Sequence, residues 1–272
     1  MSYYEFNSSV QIYYKLTEEN SNLPVLLLLH GFMGNCNDFI DCIPQLSQFF
    51  RCLLIDLPGH GKTHILGNES YYTISGTATI LVSLLNYLKL SKVNLFGYSM
   101  GGRLACYLML HSPQYFERVI LESASPGLRT KRARSQRLQI DFNRAQQLEN
   151  QDFQQFLTNW YNQPLFYTLK QHSKFNMVFN RRLQNDSQQL AKSLRNMGLG
   201  SQPSLWNQFP NNQIPTLLVV GELDGKFVKI NQEILSLSSH TKLQIIPNCG
   251  HNIHVENVES WLQAILAFIV TK

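Results

Sequence analysis

The 272-residue sequence predicts an α/β protein: a mostly parallel central sheet, flanking helices and an inserted helical cap. Short apolar runs alternate with longer helical patterns, as successive βαβ units do. That alternation stops after Pro126-Gly127, where the chain becomes rich in Gln, Asn and Arg, and strand character returns only at Ile214. Between these limits the pattern is helical without strands. A serine set between glycines, Gly97-Tyr98-Ser99-Met100-Gly101, stands where a strand passes into a helix. The expected division is a core of residues 1–126 and 210–272 with a helical cap over 127–209.

The first dozen residues alternate weakly and suggest an antiparallel edge hairpin. Six strands follow from runs rich in Val, Leu and Ile bounded by turn residues: Val25–His30, Cys52–Asp56, Val93–Gly97, Val119–Glu122, Thr216–Gly221 and Leu243–Ile246. Apolar residues at three- and four-residue spacing predict helices over Tyr72–Leu90, Ser99–His111 and Val258–Val270. No internal repeat is visible.

Composition narrows the function classes. Hydrophobic content of 44% and charged content of 15% are globular values. The five cysteines, Cys36, Cys42, Cys52, Cys106 and Cys249, lack CxxC spacing and suit reduced, buried thiols in a cytoplasmic protein. In that setting the Asn-x-Ser sequences at Asn7, Asn68 and Asn185 carry no meaning. The start of the chain lacks a basic region followed by an apolar core, so no signal peptide is expected. No apolar run approaches the length that spans a bilayer. No metal or cofactor motif is present. The net charge of +5 is unevenly placed: residues 127–209 hold 12 Lys/Arg against 4 Asp/Glu, a balance of +8, whereas the remainder has 11 against 14. No nucleic-acid-binding motif accompanies that charge, which leaves a small polyanionic substrate as its reason.

The serine gains meaning from its context. A tight strand-to-helix turn needs small residues at Gly97 and Gly101, and it lifts the Ser99 hydroxyl clear of the sheet. Asp224, in Gly-Glu-Leu-Asp-Gly, follows the strand ending at Gly221, and His251, in Asn-Cys-Gly-His, follows the strand ending near Ile246. The order Ser99, Asp224, His251 is that of the catalytic triad in the α/β-hydrolase fold. Upstream, Leu-His-Gly-Phe-Met-Gly (29–34) supplies a turn whose Phe32 N–H, with that of Met100, would form an oxyanion hole. Pro58–Thr63 only mimics a phosphate loop: the motif would need glycine at Asp56, and a dinucleotide fingerprint would need glycine at His64. It is the turn after the second core strand, and His60 and His254 are both assigned structural places.

A wider set of sequences, GYSMGGR, ESASPGL, NWYNQPLF, RRLQNDSQQLAKSLRNMGLGSQPSLW and CGHNIHVEN, resembles the MenH-type 2-succinyl-6-hydroxy-2,4-cyclohexadiene-1-carboxylate synthases of menaquinone and phylloquinone synthesis. The resemblance covers essentially the whole chain, cap included. It implies a cytoplasmic lyase without cofactor or metal. Such an enzyme eliminates pyruvate from the tricarboxylate 2-succinyl-5-enolpyruvyl-6-hydroxy-3-cyclohexene-1-carboxylate, and neither nucleic acid nor membrane insertion belongs to its work. It also implies substrate-binding roles for Arg103, Arg137, Arg182, Tyr98 and Trp160. Leu199 departs from the pattern by standing where a threonine is usual.

Each of those residues has a plainer reading. Arg103 lies one helical turn past Ser99 and could pair with a surface carboxylate. Arg137 could pair with Asp141, and Trp160 could pack in the cap core. Arg181 adjoins Arg182, and either could face inward. Three arginines nonetheless match three carboxylates in number and in planar, two-pronged geometry. A hydrolase of the same fold, cleaving carbon–carbon or carboxylic ester bonds of an anionic substrate, is the alternative.

Overall fold

The computed structural model describes residues 2–17 and 22–270. Nine strands form one sheet: β1 (Ser2–Asn7), β2 (Val10–Leu16), β3 (Val25–Leu29), β4 (Arg51–Ile55), β5 (His64–Ile65), β6 (Val93–Tyr98), β7 (Phe116–Glu122), β8 (Thr216–Gly221) and β9 (Thr241–Ile246). The order is β1-β2-β4-β3-β6-β7-β8-β9, with β5 paired to β2. Strands β4 through β9 on this path run parallel, and β1, β2 and β5 are joined antiparallel. The helices are α1 (Ile43–Leu46), α2 (Ile74–Tyr87), α3 (Met100–His111), α4 (Lys131–Asn150), α5 (Phe153–Tyr161), α6 (Tyr167–Gln171), α7 (Phe175–Arg182), α8 (Ser187–Met197), α9 (Gly225–Leu235), α10 (Ile253–Glu256) and α11 (Val258–Val270). The architecture is the one expected from the sequence, a mostly parallel central sheet flanked by helices.

Continuous apolar runs make the central strands, because both faces of a parallel sheet are covered. Every residue of β3, β6 and β8 is buried. Alternate residues of β3 point to opposite sides: Leu27 and Leu29 join Leu84, Leu104 and Leu108 from α2 and α3. Leu26 and Leu28 join Leu46, Trp261 and Ile265 from α1 and α11. A third cluster, including Ala145, Leu148, Phe156, Leu157, Leu190 and Leu194, holds α4, α5 and α8 together. Among the described residues, the chain between β7 and β8 forms α4–α8 and no strand.

Where the observed elements differ from the periodicity, a local cause is visible. β7 begins at Phe116, three residues before the apolar run: Phe116 pairs with Val93 and Arg118 with Asn94, with Glu117 at a shift in register between them, so no hydrophobic pattern marks the start. The helix expected to Leu90 stops at Tyr87, and Lys89 adopts a φ of 55° that ends it. The short β5 follows a turn too brief for alternation to reveal.

Register positions the site. Leu29 pairs with both Ile55 and Gly97, Tyr98 with Glu122, and Gly221 with Ile246. The carboxyl ends of these strands therefore share one edge, where ligands bind in open α/β sheets.

Candidate active site

Ser99 sits between β6 and α3 with φ 50° and ψ −105°. A non-glycine residue in this region costs on the order of 1–3 kcal/mol and persists only where its surroundings enforce it. Here they do: the Ser99 N–H donates to the Glu122 carbonyl at 2.9 Å. A Cβ on Gly97 would come within 2.4 Å of the Gly101 carbonyl oxygen, and one on Gly101 within 2.4 Å of the Leu29 carbonyl oxygen. The turn closes only because both positions lack side chains.

Asp224 caps α9, its Oδ1 accepting from the Phe227 N–H at 3.3 Å. Its Oδ2 lies 2.6 Å from His251 Nδ1, and His251 Nε2 lies 3.1 Å from Ser99 Oγ. With the imidazole proton on Nδ1, donated to Asp224, Nε2 is left to accept from the serine hydroxyl. Such a relay can draw the proton from Ser99. Phe32 lies in a turn closed by the Gly34 N–H on the Gly31 carbonyl at 3.0 Å. Met100 is the first residue of α3, where backbone N–H groups have no partner within the helix. Both residues line the cavity above Ser99.

That cavity, about 540 Å³, opens between the sheet edge and the helices that connect β7 to β8. Arg103, Arg137, Arg144, Arg182 and Lys226 line it, against the single carboxylate of Asp224. Tyr98 and Trp160 also line it: the Tyr98 ring packs 4.6 Å from that of His254, and Trp160 5.3 Å from that of Phe32. Burial, then the nearby Glu122 charge, pushes the Tyr98 hydroxyl well above its usual pKa, so it stays a neutral donor.

The arginines are held differently from one another. Arg103 donates through Nη1 to the Met197 carbonyl at 3.1 Å and to Gln202 Oε1 at 2.7 Å, both neutral acceptors. Burial, reinforced by Arg137, lowers its pKa to about 10, which leaves it a cation at neutral pH. Arg137 lines the cavity and also donates through Nε to Asp141 Oδ1 at 2.7 Å, so the expected pairing and a place on the pocket wall occur together. Arg182 faces inward, whereas Arg181 donates to the Asn37 carbonyl at 2.9 Å. The Arg182 guanidinium is already engaged: Nη1 and Nη2 reach the two oxygens of Asp38 at 2.5 and 2.9 Å, and Nε reaches Tyr161 at 3.4 Å. Burial opposes the charge on each partner of that pair, but their mutual attraction wins, raising the pKa of Arg182 and lowering that of Asp38.

Asp38, Arg144 and Lys226 had no motif to announce them, and Gln163 stood within NWYNQPLF without a role of its own. Arg144 left a further signal, since it lies seven residues past Arg137 on the same helix face. His254 and His60 occupy buried structural places. His254 Nδ1 meets Glu122 Oε1 at 2.7 Å, and Trp261 Nε1 donates to Glu122 Oε2 at 2.7 Å. His60 packs against His30 with ring centres 5.0 Å apart. The Pro58–Thr63 turn wraps Asp56, whose carboxylate accepts from the N–H groups of Cys36 at 2.7 Å and Lys62 at 2.8 Å. Among the described residues no helix is long and apolar enough to cross a membrane, and no His, Cys, Asp and Glu group could hold a metal ion.

Comparison with known proteins adds to this geometry. The alpha/beta hydrolase fold family matches residues 24–258. A Bacillus subtilis (strain 168) protein provisionally named 2-succinyl-6-hydroxy-2,4-cyclohexadiene-1-carboxylate synthase is 34% identical over 264 residues, covering 95% of each chain. The synthase of that name from Serratia proteamaculans (strain 568) is 30% identical over 256 residues, covering 94% of this chain and 96% of its own. The structure of MenH from S. aureus superimposes with a TM-score of 0.91 at 32% identity, covering 94% of this chain and 97% of that one.

Proposed function

The chain belongs to the 2-succinyl-6-hydroxy-2,4-cyclohexadiene-1-carboxylate synthase family within the α/β-hydrolase fold, and from that premise we propose how its cavity eliminates pyruvate from 2-succinyl-5-enolpyruvyl-6-hydroxy-3-cyclohexene-1-carboxylate. The enzyme is a carbon–oxygen lyase acting on a small molecule, and the hydrolase alternative gives way to it. One observation carries the mechanism: a Ser-His-Asp relay opens into a cavity lined by five cations and one carboxylate, itself part of the relay.

His251 takes the Ser99 proton through the 3.1 Å contact, and Ser99 removes the proton from the ring carbon beside the succinyl ketone. The ketone oxygen gains the resulting charge, and the N–H groups of Phe32 and Met100 hold it. Electrons then shift through the ring double bond and break the carbon–oxygen bond to the enolpyruvyl group. The departing enolpyruvate takes up one proton, returned by way of His251, and becomes pyruvate. No water is consumed and no acyl-enzyme forms. Asp224 orients the imidazole and stabilises its cation.

Arg103 and Arg137 take substrate carboxylates directly, Tyr98 and Trp160 wall the ring, and Arg182 shapes the pocket through Asp38. The helices over 127–209 act as the cap that closes the site. Five unpaired, buried cysteines support a reducing, cytoplasmic setting. The test is pyruvate release when the substrate is generated in place by the preceding enzyme. Ser99→Ala should lower kcat by at least about 10⁴-fold, the low end of the losses seen on removing a triad member. Ester hydrolysis without pyruvate release would overturn the proposal.

A further inference from the structure

A tricarboxylate needs three anion-binding positions, and Arg103 and Arg137 supply two. Arg182 is poorly placed to supply the third, because all three of its nitrogens already have partners in Asp38 and Tyr161. Arg144 is the better candidate. It lines the cavity from α4, half-buried, beside Trp160 and Gln163. Its Nη2 donates to Gln163 Oε1 at 2.6 Å, and its guanidinium carbon lies 5.2 Å from the centre of the Trp160 ring. Gln163 is fixed in turn, donating through Nε2 to the Trp160 carbonyl at 2.9 Å. One amide and one aromatic face thus hold the guanidinium in place while its remaining N–H groups stay open.

Among the described residues, no carboxylate forms an ion pair with Arg144. Asp141, one turn away on α4, is spent: Oδ1 accepts from Arg137 at 2.7 Å and Oδ2 from the Gly200 N–H at 3.0 Å. Burial and the neighbouring Arg137 both work against the charge on Arg144, lowering its pKa. A cation held in place, partly desolvated, beside another cation and without its own anion is the state that a bound carboxylate relieves. Lys226 also lacks an acidic partner among the described residues but stands exposed, where water screens its charge.

We propose that Arg144 binds a carboxylate of the substrate, completing with Arg103 and Arg137 a wall of three arginines on one side of the cavity. The inference rests on the pyruvate-eliminating reading above. Steady-state pyruvate release is measured for wild type, Arg144→Gln and Arg144→Lys, with thermal melting as the folding check. Arg144→Gln should raise KM at least about tenfold, the loss expected for a charge-assisted hydrogen bond, with kcat changed less than about threefold. It should also flatten the ionic-strength dependence of kcat/KM. Arg144→Lys should recover part of the lost affinity, since it keeps the charge but not the planar fork. An unchanged KM in Arg144→Gln overturns the inference, as does a lysine variant no better than the glutamine one, which would mark a packing role against Trp160. If the wild type releases no pyruvate, the functional reading fails as well. If it does while Arg144→Gln keeps its KM, only the role of Arg144 fails.

Discussion

Two sides of one cavity use the same residue type in opposite ways. On the α7 side, Arg182 is closed on Asp38 in a bidentate pair whose side chains are 5% and 3% exposed. On the α3–α4 side, Arg137 alone pairs with an acid, Asp141, while Arg103 and Arg144 donate to neutral acceptors. The first arrangement is neutral and rigid. The second leaves a net positive wall. Location on the pocket wall therefore does not decide whether an arginine's charge is free: the state of its counter-charge does.

The largest effect should come from breaking the closed pair. Asp38→Asn leaves the buried Arg182 charge without its anion, a loss of about 3–5 kcal/mol in stability, read as a lowered melting temperature. Asp38→Leu combined with Arg182→Met, which removes both charges, should recover much of that loss. The pair also has a pH signature. Arg182 holds the folded-state pKa of Asp38 below its ordinary 3.8, so the contribution is full above that value and is lost as pH falls through the folded one. The stability gap between wild type and Asp38→Asn should accordingly narrow in acid. A melting temperature unmoved at neutral pH would contradict the closed-pair account.

Breaking the open side should act on catalysis instead. Arg103 has only neutral protein partners, so Arg103→Ala should leave melting within a few degrees. It should lower kcat/KM for pyruvate release by about ten- to a hundredfold, the loss of a charge-assisted contact worth about 1.5–3 kcal/mol. If Arg103→Ala and Asp38→Asn shifted stability and catalysis in the same proportions, the contrast between the two sides would collapse.

This contrast marks where the sequence stopped being legible. Central strands were readable because parallel sheets bury both faces and leave continuous apolar runs such as Val25–Leu29. The Ser99 turn was readable because its steric demand restricts Gly97 and Gly101 to glycine. The pairing of Arg182 with Asp38 was not, because 144 residues separate them and no local pattern links the two. Nor does sequence record that Asp141 is already divided between Arg137 and the Gly200 N–H. Residue type and helical spacing bring a cation to a wall. Only tertiary neighbours fix whether its charge is free.

The smallest effect concerns the basic residues of 127–209 that face away from the cavity. The balance of +8 over that segment counts them equally with Arg103's neighbours, although their charge is answered elsewhere. Arg129 pairs with Glu233 across to α9, both about half-exposed, and lies 3.8 Å from the centre of the Trp206 ring. Arg195 is matched by Glu149, and Lys174 by Asp41 at 2.7 Å. Arg129→Gln should cost at most about 2 kcal/mol in stability, the sum of an exposed ion pair and a surface cation–π contact. Its KM for the tricarboxylate should stay within about twofold of wild type, since a solvent-screened charge outside the pocket adds little to binding. A fall in kcat/KM comparable to that of Arg103→Ala would mean that the total charge of the segment, and not the uncompensated wall, draws the substrate in.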